Sequence, residues 1–126
     1  MEIDRKMYPQ LGSTIGVFCH ATRVGDFLFI SGMTARGTDA EYGDMEAQTD
    51  AVLKKIELIL EAEGASFKDI ARVTAYVTDL TDFDKIHEVR KRYFGEDLPA
   101  STLVQVASLI GSQLKIEIEA IAVVPG

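Results

Sequence analysis

The sequence predicts an α+β fold in which one mixed β-sheet carries two helices on a single face. Strand-like and helix-like segments follow one another in the order β-β-α-β-α-β-β. Apolar residues recur at every second position in the strand segments and with the helical period in the helix segments. Such an alternation is typical of helices packed on a sheet. No linker, repeat or change of composition divides the chain, so we expect one domain over residues 1–126.

The predicted strands are short segments rich in β-branched and aromatic residues. The first two, 17–24 and 27–32, are separated by Gly25-Asp26, which predicts a tight hairpin turn. The others are 70–78, 101–107 and 114–123.

The two predicted helices have clear end signals. Asp44 can cap a helix that closes at Gly64, where glycine supplies the left-handed residue. Its apolar positions follow the helical period: Met45, Val52, Leu53, Ile56, Ile59 and Leu60. The second helix is expected from Thr81 or Asp82 to Phe94 and ends at Gly95.

Charge and composition exclude several classes of function. The net charge is −7, which repels phosphate backbones and argues against nucleic acid as the main partner. The longest apolar runs are too short or too interrupted by charge to span a bilayer, and the N-terminus lacks a signal-peptide segment. Cys19 is the only cysteine, which fits a reducing compartment. We therefore expect a cytoplasmic protein without membrane or nucleic-acid partners.

No metal or cofactor is expected from the sequence. The two histidines are far apart and no Cys/His cluster exists. The stretch 32–37 lacks the glycine spacing of a dinucleotide site. Cys19 and His20 are neighbours in a predicted strand, so their side chains should point to opposite faces and cannot act as a nucleophile and base pair. Cys19 is accordingly interpreted as a small buried apolar residue.

The last strand has two unlike faces. One face is apolar and consists of Ile116, Ile118, Ala120 and Ala122. The other mixes charge with β-branched residues and consists of Lys115, Glu117, Glu119, Ile121 and Val123. A face of this kind suggests a wall covered by another subunit or by a ligand. Because no further element remains to cover this side of the sheet, we expect a cyclic homo-oligomer with ligand pockets where subunits meet.

Four segments resemble the YjgF/RidA family. They are Arg23-Val-Gly-Asp-Phe-Leu-Phe-Ile-Ser-Gly, Glu61-Ala-Glu-Gly-Ala-Ser, Phe94-Gly-Glu-Asp-Leu-Pro-Ala and Lys115-Ile-Glu-Ile-Glu-Ala-Ile-Ala. The resemblance implies a chorismate-mutase-like α+β fold and a homotrimer with three clefts between subunits. It also implies an activity, the hydrolysis of reactive enamines and imines such as 2-aminoacrylate to ketones and ammonia.

The resemblance also implies site residues. Ser31 and Gly32 match residues that line the family's cleft, and Glu117 matches the carboxylate that positions or activates the hydrolytic water. Phe18 stands where the family usually has a tyrosine, and His87 stands where an asparagine is common. From the residues alone, Glu117 is interpreted as a structural group that forms an inter-subunit hydrogen bond or ion pair, and only the resemblance favours the catalytic role.

Position 101 is the main departure from the family pattern. Deaminating members have an arginine after Pro-Ala that binds the substrate carboxylate, whereas this chain has Ser101. This is typical of an arginine-lacking branch and predicts that 2-aminoacrylate is not the substrate. Thr102 and Leu103 are expected to shape the pocket beside Ser101. If the substrate is still an anion, Arg36 or Arg90 would have to supply the cation.

Three hypotheses follow for the function. The first is a trimeric hydrolase acting on an imine, an enamine or a related small metabolite. The second is a non-catalytic trimer of the same fold that binds small molecules or acts as a chaperone. The third, an endoribonuclease, is disfavoured by the acidic charge.

Overall fold

Six strands form one sheet in the computed structural model, which describes residues 1–124. The elements are β1 (Asp4–Lys6), β2 (Ala21–Val24), β3 (Phe27–Met33), α1 (Met45–Ala62), β4 (Ile70–Val77), α2 (Phe83–Phe94), β5 (Ala100–Gln105) and β6 (Ile116–Val123). The strand order across the sheet is β1-β2-β3-β6-β4-β5. Only β4 and β5 pair in parallel, and the crossover between them contains α2. The predicted mixed sheet is therefore confirmed.

The hairpin and both helices form where their signals predict. Val24 pairs with Phe27 across a two-residue turn in which Gly25 has a positive φ of 59°. The Asp44 carboxylate accepts a hydrogen bond of 2.9 Å from the Ala47 backbone N–H and so caps α1. A short 3-10 turn precedes α2, and Asp79 caps this turn through the Thr81 N–H at 2.9 Å.

The core lies between the two helices and one face of the sheet. The apolar face of β6 is fully buried there, and α1 contributes Val52, Leu53, Ile56, Ile59 and Leu60. Each fully buried side chain of this size stabilises the fold by roughly 1.5–3 kcal/mol. Both helices therefore cover the same face, and the predicted division of β6 into two unlike faces is confirmed.

The opposite face of the sheet is open and partly apolar. Phe27 and Phe29 on β3 remain 51% and 41% exposed, and Val123 on β6 is 37% exposed. Ile121 lies beside Phe29 in the strand register. Apolar residues gathered on one exposed sheet face indicate a surface that a partner covers.

The N-terminal part differs from the prediction. The first predicted strand starts at Ala21 rather than Val17, because a tight turn brings the Phe18 N–H to the Gly16 carbonyl at 3.0 Å. The short strand β1 was not predicted, since Asp4-Arg5-Lys6 carries no apolar alternation. Within residues 1–124, no helix is both long and apolar enough to cross a membrane.

Candidate functional site

A cleft of about 680 Å³ lies where β3 and β6 meet the N-terminal segment and the loop after β3. It is lined by residues 10–15, 30–34 and 36–37, and by Phe18, His20, Lys55, Ile110, Leu114, Glu117 and Glu119. Segments from the N-terminal part, from β3 with the loop that follows it, and from β6 therefore meet around the carboxylate-bearing face of β6.

A β-bulge shapes the floor of this cleft. Ile30 pairs with Ala120 and Met33 with Ile118, so Ser31 and Gly32 together oppose a single residue of β6. A bulge bends the strand and re-aims its side chains, and bulges are frequent beside active sites. The Ser31 hydroxyl donates to the Cys19 carbonyl at 2.7 Å and ties the bulge to the segment before β2.

The bulge makes room for Glu117. A Cβ atom on Gly32 would overlap the Glu117 carboxylate and would lie 2.8 Å from its Cδ. Carbon atoms in proteins do not approach this closely, so the observed position of Glu117 requires glycine at position 32. The sequence match that placed both residues in one site thus has a steric explanation.

Glu117 is a half-buried acid without a hydrogen-bond donor among residues 1–124. Burial raises the pKa of its carboxyl group, and the neighbouring charge of Glu119 raises it further. A carboxylate that lacks partners and holds its proton more tightly than usual can accept a proton from a bound water.

Glu119 has a different environment. It is exposed, and its carboxylate accepts a hydrogen bond of 2.6 Å from the Tyr76 hydroxyl on β4. This hydrogen bond raises the pKa of Tyr76, so the phenol keeps its proton. The two acids on this face of β6 therefore differ in their hydrogen bonds. Glu119 accepts one from Tyr76, whereas Glu117 accepts none from the residues that the structure describes.

The cations of the cleft are engaged with backbone carbonyls. The Lys55 ammonium donates to the carbonyls of Thr34 and Arg36, both at 2.7 Å, and burial lowers its pKa. The Arg36 guanidinium donates to the Ile110 carbonyl at 2.5 Å. Both side chains hold the loop after β3 in place, and Arg36 also lines the cleft.

His20 and Phe18 line the same cleft as Glu117. His20 is buried, and its Nδ1 accepts the Tyr8 backbone N–H at 2.9 Å. Burial lowers the pKa of this imidazole, so it is neutral near pH 7. Phe18 is 48% exposed and offers an apolar surface. Because residues 18–20 precede β2, the argument from strand geometry for Cys19 and His20 does not apply to them.

The remaining predicted residues do not line this cleft. Ser101 and Leu103 point toward the helix side of the edge strand β5, where Leu103 packs against the core. Thr102 points to the open face and accepts a hydrogen bond of 2.6 Å from Arg72. His87 is exposed and stacks on Phe83 at 5.8 Å. Arg90 donates to the Ser101 hydroxyl at 2.9 Å.

Two contributors to the site were missed in the sequence. Lys55 borders the apolar stripe of α1, which gives a long side chain access to the loop after β3. Gln48 is fully buried, and its side-chain nitrogen lies 2.8 Å from the Gln113 carbonyl and within 3.2 Å of those of Glu41 and Gly43. A polar residue at a core position of the helical period was the available signal for Gln48.

Known proteins resemble this chain over most of its length. The model of the family described as endoribonuclease L-PSP matches residues 10–124. The chain belongs to the YjgF/RidA family. A RutC family protein of Pyrococcus horikoshii is 44% identical over 111 residues, which are 86% of this chain and 87% of that protein. This family member also resembles reactive intermediate deaminase A of Arabidopsis thaliana, at 35% identity over 115 residues covering 87% of this chain and 60% of that protein.

Solved structures of YjgF/RidA proteins agree with the fold. RidA from a Psychrobacter species superimposes with a TM-score of 0.80 at 34% identity, covering 88% of this chain and 91% of that one. The resemblance inferred from four short segments is therefore confirmed. Membership in the arginine-lacking branch stays a prediction.

Proposed function

We propose that this YjgF/RidA protein hydrolyses a reactive imine, or the enamine that tautomerises to it, to a carbonyl compound and ammonia. The observation that carries the proposal is the unpaired, half-buried carboxylate of Glu117 above Gly32 in a cleft of about 680 Å³. The relative named as a reactive intermediate deaminase supports the same reaction class.

The reaction needs one water and one proton carrier. Glu117 accepts a proton from a water in the cleft while the water oxygen forms a bond to the imine carbon. Glu117 passes this proton to the imine nitrogen, which gives a carbinolamine. The carbinolamine hydroxyl then loses its proton to Glu117, which passes it to the amino nitrogen as the C–N bond breaks. Ammonia leaves and a carbonyl compound remains, so that imine plus water equals ketone plus ammonia. The proton returned by Glu117 balances the one that it accepted.

A trimer would complete the site. The cleft around Glu117 opens to solvent, and the predicted residues 101–103 lie elsewhere, on the edge strand β5. The exposed apolar residues of the sheet support burial of this face against another copy. We propose that the β5 edge of one subunit closes the Glu117 cleft of the next. Location in the cytoplasm stays a prediction.

A non-catalytic ligand-binding trimer is the alternative, since the same cleft could hold a small molecule without turnover. RNA cleavage is not proposed despite the family description. Glu117 and Glu119 face the cleft and the chain carries a net charge of −7, so a phosphate backbone would be repelled.

A measurement of ammonia release distinguishes a deaminase from a non-catalytic ligand-binding trimer. Imines are generated in situ by an amino-acid oxidase, and their hydrolysis is followed with and without the protein. Glu117→Gln keeps the side-chain size and should lower the rate at least about 100-fold. Glu61→Gln, at an exposed position on α1, is the matched control and should retain full activity. No acceleration by the wild type with any imine, together with saturable binding of the imine's carbonyl product, would favour the alternative.

A further inference from the structure

Residues 7–15, which we call the strap, connect β1 to the turn before β2, and residues 10–15 line the Glu117 cleft. Few contacts hold the strap against the rest of the subunit. Tyr8 is buried, whereas most of the other strap residues are exposed. Within residues 1–124, the hydrogen bonds that the strap makes from backbone to backbone run inside the strap itself. A segment with so few buried contacts opens locally at little cost in free energy.

The buried side chain of His20 attaches the strap to the subunit. The Tyr8 backbone N–H donates to His20 Nδ1 at 2.9 Å, and the two rings stack with their centres 5.9 Å apart. Because Nδ1 accepts this hydrogen bond, the neutral imidazole carries its proton on Nε2. The carbonyl of Gly12, also on the strap, favours a proton on the ring. His20 therefore interacts with the strap at two positions, Tyr8 and Gly12.

The backbone of His20 fixes the strap relative to Glu117. The Ser31 N–H donates to the His20 carbonyl at 3.0 Å, and Ser31 belongs to the β-bulge that makes room for Glu117. The His20 N–H donates to the Lys6 carbonyl at 3.1 Å, at the end of β1 where the strap begins. One residue thus joins the floor of the cleft to the segment that lines it.

Protonation of the His20 imidazole would break the attachment at Tyr8. An imidazolium ring donates from both nitrogens, so Nδ1 could no longer accept the Tyr8 N–H, and two donors would face each other. Burial lowers the pKa of His20 from its ordinary value of 6.5, the charge of Lys55 on α1 lowers it further, and the Gly12 carbonyl opposes both. The other titratable groups nearby are the Tyr8 phenol, which stacks on the ring, and Glu117 on β6, which lines the same cleft.

We propose that His20 is a positioning residue which, as a neutral imidazole, holds the strap over the Glu117 cleft and which releases the strap when it is protonated in acid. With the strap attached the pKa of His20 is lowered, so the attachment is complete above about pH 6.5 and weakens as the pH falls below this value. The effect on turnover rests on the proposed function, whereas release of the strap is a property of the fold that is measured without turnover.

Amide hydrogen exchange of the strap, corrected for the intrinsic effect of pH on exchange, measures its release. Protection of the Tyr8 and Gly12 amides in the wild type should fall about 10-fold between about pH 7.5 and about pH 5, since one hydrogen bond is lost. His20→Asn keeps an acceptor near the position of Nδ1 and cannot be protonated, so protection should stay constant over this range. His20→Leu has no acceptor and should give low protection at both pH values.

His87→Asn is the matched control, because His87 is the other histidine of the chain and is exposed on α2. It should lose strap protection in acid as the wild type does. Protection that is independent of pH in the wild type, or that falls equally in His20→Asn, would overturn the proposal. Exchange of the core amides of α1 and circular dichroism at each pH establish that the rest of the subunit stays folded.

Turnover of an imine generated in situ relates the strap to the proposed function. At about pH 7.5, His20→Leu should raise KM about 5-fold or more and change kcat less, because the strap lines the cleft while Glu117 stays in place. His20→Asn should restore the KM of the wild type. Equal KM values for the wild type and His20→Leu would overturn the positioning role.

Glu117→Gln separates the two proposals. This variant should lose turnover but keep the pH dependence of strap exchange, because release of the strap requires only His20. Absence of turnover in the wild type, together with strap exchange that depends on His20, excludes the deaminase and keeps the strap. Turnover that requires Glu117, together with strap exchange that does not respond to pH, excludes the strap and keeps the deaminase.

Discussion

The Glu117 carboxylate occupies the space that a Cβ atom at position 32 would take, so it can hold this position only over glycine. This contact joins the two strands of the cleft floor, and it exists because the bulge in β3 places Gly32 out of register with β6. The position of the proposed catalytic acid is therefore set by the backbone of the neighbouring strand.

Gly32→Ala should displace Glu117 and lower both stability and activity. The obstructing atoms belong to the flexible end of Glu117, so the loss of stability should be about 1 kcal/mol, while the rate falls because the acid moves from the water that it activates. Denaturant unfolding at fixed protein concentration measures the change in stability. The rate of ammonia release measures the change in activity. In a Glu117→Ala background the same substitution should cost less than about 0.5 kcal/mol, because the obstructing carboxylate is gone. An equal cost in both backgrounds would contradict the steric account.

Glu119→Gln should move the acid limb of the pH–rate profile to lower pH. Glu117 works as a base only when ionised, so kcat/KM should fall as the pH drops through its raised pKa. Removing the Glu119 charge removes one cause of that elevation and brings the pKa nearer its ordinary value. The side-chain oxygen of the glutamine can still accept the hydrogen bond from the Tyr76 hydroxyl, so the positions of the two side chains are preserved. A profile that stays unchanged, or shifts to higher pH, would contradict a role for Glu117 as the base.

Phe29→Glu should break the proposed trimer into smaller species. Phe29 is 41% exposed on the open sheet face and pairs with Ile121. An unpaired carboxylate buried at an apolar interface costs about 2 kcal/mol or more. Light scattering gives the mass of each species. Tyr42→Glu, at a loop position that is 82% exposed, should leave the mass of the wild type unchanged. A monomeric wild type at micromolar concentration would rule out the trimer.

Gln48→Leu should destabilise the loops beside the cleft by about 2–4 kcal/mol. The substitution keeps an apolar side chain in the core but leaves the Gln113 carbonyl and the Lys115 N–H without their partner at 2.8 Å each. Thermal unfolding and amide hydrogen exchange of residues 41–43 and 113–115 measure the effect. Thr49→Val is the control, because Thr49 bonds only to its own helix through the Met45 carbonyl. We expect a smaller loss for it, and similar losses would show that Gln48 has no special role.

Periodicity accounts for what was predicted correctly. The helix bounds at Asp44 and Gly64, the hairpin at Gly25, and the two faces of β6 all follow from local signals between near neighbours. Each of these signals depends on hydrogen bonds or side-chain spacing within one element. Strand β1 was not predicted, because its three charged residues have no alternation of apolar and polar side chains. It is identified by its backbone pairing with β2.

The cleft was only half predictable, because it depends on contacts between distant segments. The structure brings Phe18, Ser31, Gly32, Arg36 and Glu117 to one cleft, and their roles there stay a prediction. The set comprising His87, Arg90, Ser101, Thr102 and Leu103 lies on another part of the subunit. The bulge that positions Glu117 arises from the pairing of β3 with β6, nearly ninety residues apart, and no local pattern encodes it.

By itself the sequence determined the element types, the buried face of the sheet and the family, since these depend on side-chain pattern and short motifs. Only the tertiary structure decided that Glu117 is free while Glu119 is paired, and that Arg90 reaches Ser101 from a helix. The physical reason is that hydrogen-bond partners and desolvation depend on where the chain returns in space. Residue type and spacing along one strand determine neither the hydrogen-bond partners of a side chain nor how far it is removed from water.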